Sequence, residues 1–345
     1  MLTQRQLLIL NKIIESYTES GEPISSKLLV ENGAIEASSA TIRNEMSVLE
    51  ELGYIEKVHK SSGRIPSVKG YRFYVDNLLK PKTVHKKEKT HIKGRMNSPF
   101  FQMSDIFYQS AELLSELTNY TAIVLGPQSQ YSSLTGFRIV PINNKQMMLV
   151  LQLDNYEVQS MLVKIPEDLE PEHIKQVTTF MNNNLVGESL DTVYHILRTE
   201  LPKLFEKYMA MNWDVVGMLK QALLREKNEQ MFISGKSNLF DFTESMNTNQ
   251  IKDLYNLLDN EQTLLHLFSQ LYNNQNSVDI RIGNELNNQL FEPFSLITVP
   301  YIDNHFGGGF IAVLGPTNMT YDSTLGVIQL MREELLDRLE DFYLD

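Results

Sequence analysis

The chain has 345 residues, enough for two or three domains, and it contains no cysteine. The lack of cysteine excludes disulfide scaffolds, cysteine-ligated zinc, iron–sulfur clusters and thiol nucleophiles. No apolar run approaches the roughly 18 residues that cross a bilayer, and the N-terminal residues lack the pattern of a cleavable signal peptide. We therefore expect a cytoplasmic protein with no membrane partner.

Charge is distributed unevenly along the sequence. The net charge is −12, yet residues 1–95 hold 16 Lys and Arg against 11 Asp and Glu, whereas residues 96–345 hold 15 against 32. A basic N-terminal part on an acidic body is typical of a small DNA-contacting module attached to a larger domain. The acidic body would repel phosphate and keep a duplex at the N-terminal end.

The first two predicted helices follow from local signals. Thr3 and Gln6 have the spacing of a capping box, and Gly21 ends the helix that begins there. A second, short helix starts near Pro23 and runs through residues 25–30. Two short helices in this order are the expected beginning of a helix-turn-helix module.

A third predicted helix begins after a cap at Ser38 or Ser39 and ends at Gly53. Its apolar stripe consists of Ile42, Met46, Leu49 and Leu52, and its opposite face consists of Ala40, Arg43, Asn44, Ser47 and Glu51. Arginine can form two hydrogen bonds with guanine and asparagine two with adenine, so this polar face suits a DNA major groove. A plain solvent-exposed face is an equally good interpretation of this helix taken alone.

A basic ribbon follows the third helix. Tyr54, Ile55 and Val58 predict one strand, and Ile65 belongs to its returning partner. Helices followed by a ribbon with a basic tip predict a winged helix-turn-helix that binds DNA. The candidate DNA-binding residues, which include the Lys60 and Arg64 that flank the turn, are Lys27, Ser38, Ser39, Thr41, Arg43, Asn44, Ser47, Lys60, Ser62, Arg64 and Arg72.

Residues 80–95 are basic and have no apolar period, so we expect a solvated linker there. Farther on, the patterns predict a helix around 106–117, strands at 121–125, 134–140, 147–153 and 158–165, a helical middle from about 171 to 226, two helices within 249–271, strands at 278–282, 294–301 and 309–315, and a last helix at about 324–343. Strands, then helices, then strands again indicate an α+β domain interrupted by a helical insertion.

The sequence resembles the HrcA family of bacterial heat-inducible transcription repressors. The resemblance is carried by LTQRQLLIL at 2–10, GEPISSKLL at 21–29, SSATIRNEM at 38–46, LEELGYIEK at 49–57, SSGRIPSVKGYRFYVD at 61–76, LSELTNYTAIVLGP at 114–127, IRIGNE at 280–285 and AVLGPTNMTY at 312–321. It implies a multi-domain α+β protein: a winged helix-turn-helix domain, then a GAF-like α+β domain interrupted by an inserted, largely helical dimerisation domain. The expected parts are a winged-helix domain at 1–80, a basic linker at 81–99, the GAF-like domain at 100–165 and 236–345, and the insertion at 166–235.

The resemblance also implies a function. Such a protein binds double-stranded DNA at the CIRCE inverted repeat of chaperone operons as a homodimer, represses transcription, and is kept active by the GroEL chaperonin until heat stress diverts that chaperonin. Two other interpretations stay open from the residues: a regulator gated by a metabolite in the GAF-like domain, and a metabolic enzyme with a DNA-binding appendage.

Motifs for catalysis, cofactors or metals are weak in this sequence. Gly235-Lys236-Ser237 resembles the end of a phosphate-binding loop, but Gln230 stands where that loop needs glycine. The seven histidines form no recognisable metal-ligand pattern. Residues 307–309 are three glycines that fit a mobile hairpin tip better than a ligand site. We therefore predict a regulator rather than an enzyme, with no catalytic residue, cofactor or metal.

Overall fold

The computed structural model describes residues 2–31, 33, 35–58, 63–97, 100, 102–127, 133–154, 158–164, 171–199, 231–243, 246–260, 263–264, 267, 277–303 and 307–344. Within these residues, no helix is both long enough and apolar enough to cross a membrane. The multi-domain α+β class is confirmed.

The N-terminal part is a winged helix-turn-helix. Its elements are α1 (Gln4–Ser20), α2 (Ser26–Glu31), α3 (Ser39–Glu51), the antiparallel strands β1 (Ile55–Lys57) and β2 (Arg64–Pro66), and α4 (Val68–Asn77). The predicted capping box forms, because the Thr3 hydroxyl accepts from the Gln6 amide at 3.3 Å and the Gln6 side chain accepts from the Thr3 amide at 2.9 Å. Gly21 ends α1 in the left-handed region at φ 70°. Local signals therefore fixed these helix ends correctly.

One predicted core position of α3 is wrong. Ile42, Met46 and Leu49 are buried, whereas Leu52 is 45% exposed. Leu52 keeps the right-handed helical conformation at the C-cap, but at 100° per residue it lies roughly 80° around the helix axis from Ile42, at the edge of the stripe.

The segment expected to be a solvated linker contains a packed helix. Helix α5 (Lys86–Met96) buries Ile92 and Met96 completely or nearly so. These two residues lie four positions apart, hence on one face of the helix, and that face packs on α6 (Met103–Thr118) and on α10 (Tyr321–Leu344). Two apolar side chains among many lysines are too weak a pattern to predict from sequence, but they are enough to dock a short helix.

Five of the described strands form an antiparallel sheet behind the winged helix. They are β3 (Thr121–Leu125), β7 (Met231–Ser234), β8 (Asp279–Ile282), β9 (Phe294–Asp303) and β10 (Gly307–Pro316), in the spatial order β7-β3-β10-β9-β8. Alternate residues of the strands point to opposite faces. One face packs on α6 and α10, and the other packs on α9 (Thr248–Asp259). This sheet is buried on both faces.

The three glycines at 307–309 lie in β10 and pair with β9, so they are not a hairpin tip. Gly309 faces Tyr301, whose hydroxyl crosses β10 and donates to the Leu125 carbonyl at 2.7 Å. A Cβ at Gly309 would lie 2.6 Å from that hydroxyl oxygen. Glycine is needed here because a tyrosine ring lies across the strand.

The insertion between β3 and β7 forms its own layer. Its elements are β4 (Leu134–Asn143), β5 (Gln146–Leu153), β6 (Val158–Lys164), α7 (Pro171–Asn184) and α8 (Leu190–Thr199). These strands form a separate three-stranded sheet with a separate apolar core. The side-chain amide of Asn182 accepts from the Phe137 amide at 3.1 Å and donates to the Phe137 carbonyl at 2.7 Å, which joins α7 to β4.

The sheets therefore differ from the expected partition, which assigned residues 134–165 to the first part of the GAF-like domain. Periodicity identifies strands but does not say which sheet they join. The insertion begins between β3 and β4, and its described part holds a sheet as well as helices. Residues 200–230 of the predicted helical middle lie outside the described residues.

The winged helix packs directly on the five-stranded domain. Tyr71 of α4 and Tyr321 of α10 belong to one continuous apolar core, with ring centroids 5.9 Å apart. The chain after α4 is also attached, since the Lys82 amide donates to the Asp322 carbonyl at 2.9 Å. At Gly326, a Cβ would overlap the Lys82 carbonyl oxygen. This junction holds the winged helix in a defined position on the body.

Candidate nucleic-acid interface

The orientation of α3 is fixed at its start and along its inner face. The Ser38 hydroxyl accepts from the Thr41 amide at 3.1 Å and contacts the Thr41 hydroxyl at 2.9 Å, so both predicted contact residues form the N-terminal cap. The buried inner face packs against α1 and α2. The outer face can therefore turn only toward solvent or a partner.

The outer face of α3 presents Arg43 and Asn44. Both side chains are exposed, and no residue in the described part of the chain forms a hydrogen bond or ion pair with either. The small Ala40 beside them is exposed as well. Ser47 is half-buried, and its hydroxyl donates to the Arg43 carbonyl at 3.1 Å. A guanidinium and a carboxamide with free hydrogen-bonding capacity, next to a small residue, can approach the edges of bases closely.

Two further predicted contacts lie at the N-terminal ends of α2 and α3. The Ser39 hydroxyl lies 3.1 Å from the Ser26 hydroxyl, so it joins the two helices rather than being fully free. Lys27 is 80% exposed on its side chain and pairs with Glu31 at 3.4 Å. An exposed ion pair of this kind contributes little and can be exchanged for a phosphate contact.

Where the wing begins, a carboxylate pairs with Arg64, which the sequence indicated as a cation available to phosphate. Lys60 and Ser62 lie outside the described residues, so their DNA contacts stay predictions. The Arg64 side chain is only 13% exposed, and its Nε donates to Glu50 at 2.8 Å. Lys57 reaches the other Glu50 oxygen at 3.0 Å. Partial burial alone would raise the pKa of Glu50, but hydrogen bonds from Lys57 and Arg64 lower it below its usual range.

Arg72 has a different place from the one predicted. Its guanidinium donates to the Ile280 carbonyl at 2.7 Å and to Glu285 at 3.0 Å, and it pairs with Asp76 at 3.2 Å. These partners lie on β8, on the turn after it and on α4 itself. Because Nη1 of Arg72 donates to two groups of the five-stranded domain, this side chain joins the winged helix to that domain, and its contact with DNA stays a prediction.

The positive excess of the N-terminal part lies after the winged helix and not within it. Residues 1–79 hold 9 Lys and Arg against 10 Asp and Glu, whereas residues 80–95 hold 7 against 1. The positive excess counted over residues 1–95 therefore comes from the segment that contains α5. Within the winged helix, DNA affinity depends on where individual cations lie, not on the net charge of the domain.

Glu50 and Ser26 are two residues near this interface that the sequence analysis missed. Each acts by binding another candidate residue, Glu50 through Arg64 and Ser26 through Ser39. Their partners lie 14 and 13 positions away in the chain. No local pattern signals such pairs, because they form only when α2, α3 and the ribbon have packed.

Comparisons with known proteins cover both halves of the chain. The family described as "Winged helix-turn-helix transcription repressor, HrcA DNA-binding" matches residues 1–77, and the family "HrcA protein C terminal domain" matches residues 104–325. The chain is 43% identical to the heat-inducible transcription repressor HrcA of Pediococcus pentosaceus, with 99% of this chain and 98% of that protein covered. It is 41% identical to the protein of the same name from Enterococcus faecalis, with 99% of each covered.

A solved structure has the same fold. The crystal structure of a hypothetical protein at 2.2 Å resolution superposes with a TM-score of 0.67 at 22% identity, covering 99% of this chain and 100% of that one. At this identity the likeness concerns the fold alone.

Proposed function

Because the chain belongs to the HrcA family of heat-inducible transcription repressors, we propose that it represses chaperone operons by binding the CIRCE inverted repeat as a homodimer. The observation that carries the DNA-binding part is the outer face of α3. Arg43 and Asn44 are exposed there without partners in the described residues, on a helix whose inner face is buried. Phosphate contacts near the turn and the wing would set the register, and these two side chains would read bases.

The dimeric arrangement follows from the symmetry of the operator. Two copies related by a twofold axis place two α3 helices on the two half-sites of an inverted repeat. The outer face of the three-stranded sheet supports a dimer through the insertion. Val140, Val158 and Leu162 are 38%, 55% and 62% exposed there, on the face opposite the buried Leu149. Exposed apolar side chains clustered on one sheet face favour a protein partner over solvent.

The proposed release of repression by heat is inferred from membership of the family. GroEL assists the repressor into its DNA-binding form, and unfolded proteins compete for GroEL during heat stress, so repression is released. The packing of the winged helix on the body makes such control physically reasonable, since loss of the body fold would remove the support of α4.

Base reading is tested by titrating wild type, Arg43→Ala and Asn44→Ala onto labelled duplexes with the inverted repeat or a scrambled sequence. Each substitution should cost roughly 1–3 kcal/mol of operator binding and leave the scrambled duplex nearly unaffected. Lys12→Ala removes a charge from α1 in the same domain and serves as the control. Equal selectivity in wild type and Arg43→Ala would contradict the assignment of the reading face. Added GroEL should increase the DNA-binding fraction of wild type, and no increase would contradict the chaperonin part.

A further inference from the structure

Glu50 contacts both strands of the wing from the last turn of α3. One carboxylate oxygen lies 3.0 Å from the Lys57 ammonium on β1, and the other accepts from Arg64 Nε on β2 at 2.8 Å. Lys57 and Arg64 are directly opposite each other in the ribbon, at its last described pair before the tip. Like charges at such positions repel, so the shared carboxylate removes a repulsion as well as adding two ion pairs.

The second strand of the wing is also attached to the turn before α2. The Ile24 amide donates to the Arg64 carbonyl, and the Arg64 amide donates to the Ile24 carbonyl, both at 2.8 Å. The backbone approaches so closely here that a Cβ on Gly63 would lie 2.6 Å from the Pro23 carbonyl oxygen. The base of the wing therefore has fixed contacts with the turn before α2 and with α3.

We propose that Glu50 is a positioning residue for DNA recognition, which with Arg64 fixes the base of the wing, at Lys57 and Arg64, relative to the reading face of α3. This inference rests on the proposed function. Arg64 then acts through Glu50 rather than through a phosphate contact of its own. Two surfaces that must bind one duplex together gain affinity when their relative position is already set in the free protein.

The proposal makes a prediction opposite to that of simple electrostatics. DNA is a polyanion, so removing an acid from a DNA-binding domain should strengthen binding if only long-range charge mattered. Loss of positioning should instead weaken operator binding. We expect Glu50→Gln to bind the operator about fivefold or more weakly, the size that a close ion-pair cluster reaches.

Glu56→Gln is the matched control. Glu56 lies on β1 next to Lys57, it is exposed, and no described residue forms an ion pair with it. Its removal changes the charge equally, so it should leave operator binding unchanged or slightly stronger. If Glu50→Gln behaves like Glu56→Gln, Glu50 has no positioning role and the proposal is wrong.

A double-variant cycle tests whether Arg64 acts through Glu50. Arg64→Gln and the double variant with Glu50→Gln should bind the operator equally, within about twofold, because both remove the same attachment. If the two effects multiply, Arg64 contacts DNA independently and the proposal is overturned.

A measurement without DNA separates this proposal from the proposed function. The chain has no cysteine, so spin labels can be attached at Ala40→Cys on α3 and Val58→Cys at the end of the wing strand. Their distance distribution by pulsed electron resonance should be narrow in the otherwise native chain and in Glu56→Gln, and broad in Glu50→Gln. Equal widths would refute the positioning role even if operator binding is confirmed. If Glu50→Gln broadens the distribution but the wild-type protein shows no operator selectivity, the proposed function is refuted, whereas the conclusion that Glu50 holds the wing still stands.

Discussion

Substituting Gly326 by alanine tests whether the chain after α4 is fixed to the body. Gly326 lies within α10, where alanine normally stabilises a helix by about 1 kcal/mol relative to glycine. Here, however, the added methyl group would overlap the Lys82 carbonyl oxygen. Either α10 or the segment before α5 must therefore move.

The cost can be worked out from the contacts. Overpacking costs about 1–3 kcal/mol. Displacing the segment also removes the hydrogen bond of 2.9 Å between the Lys82 amide and the Asp322 carbonyl, which is worth about 1 kcal/mol. The Lys82–Asp322 ion pair is 64% exposed on the lysine side and adds little. After subtracting the gain in helix propensity, Gly326→Ala should be about 1–3 kcal/mol less stable than wild type.

Gly94→Ala provides the control in a helix with open space. A Cβ at Gly94 in α5 has nothing within 4 Å, so this variant should be more stable than wild type by about 0.5–1 kcal/mol. Urea unfolding followed by circular dichroism gives the two midpoints, and amide hydrogen exchange of residues 80–85 should accelerate only in Gly326→Ala. If both variants were stabilised equally, the segment would not be fixed to α10 and this reasoning would be refuted.

Three other perturbations have definite expected outcomes. Arg72→Ala should lower stability by roughly 1–2 kcal/mol, because the contacts with Glu285 and the Ile280 carbonyl are lost. The salt dependence of DNA binding should stay unchanged, and a shallower salt slope would show that Arg72 contacts DNA. Leu162→Lys should give a monomer in sedimentation velocity, whereas Ile302→Lys, which is similarly exposed but lies outside the insertion, should not. A dimeric Leu162→Lys would show that the dimer interface lies elsewhere. The lowered pKa of Glu50 means that its ion pairs stabilise the fold above the ordinary glutamate value of 4.5 and are lost as the pH falls toward the lowered value. Glu50→Gln should therefore flatten the acid decline of the unfolding midpoint, and an unchanged decline would show that this carboxylate is not responsible.

The parts of the fold that depend on near neighbours in sequence were predictable. The capping box at Thr3 and Gln6, the cap at Ser38 and the helix end at Gly21 each involve residues a few positions apart. Four of the five strands of this sheet were found for a similar reason, since burial on both faces leaves continuous apolar runs such as 122–125 and 310–314. Strand β7 was not predicted, because its four residues are all only partly buried and form no long apolar run.

The parts that depend on distant partners were not predictable. Arg64 and Arg72 look like phosphate-binding cations in the sequence, but their carboxylate partners come from α3 and from beyond β8. The strands at 134–164 were recognised as strands, yet their separate sheet exists only because α7 and α8 cover it. The reading face of α3 lies between these cases. Helical periodicity placed Arg43 and Asn44 on one face. In the structure, no described residue forms a hydrogen bond or ion pair with either side chain.

The most direct test of the central claim is equilibrium titration of the full chain onto a duplex with the inverted repeat and onto a scrambled duplex of equal length, at two salt concentrations. An operator-specific repressor should prefer the inverted repeat by roughly a thousandfold or more at near-physiological salt, with both affinities falling as salt rises. Equal affinity for the two duplexes, with the same steep salt dependence, would show that the winged helix binds only backbone charge and would contradict the proposed function.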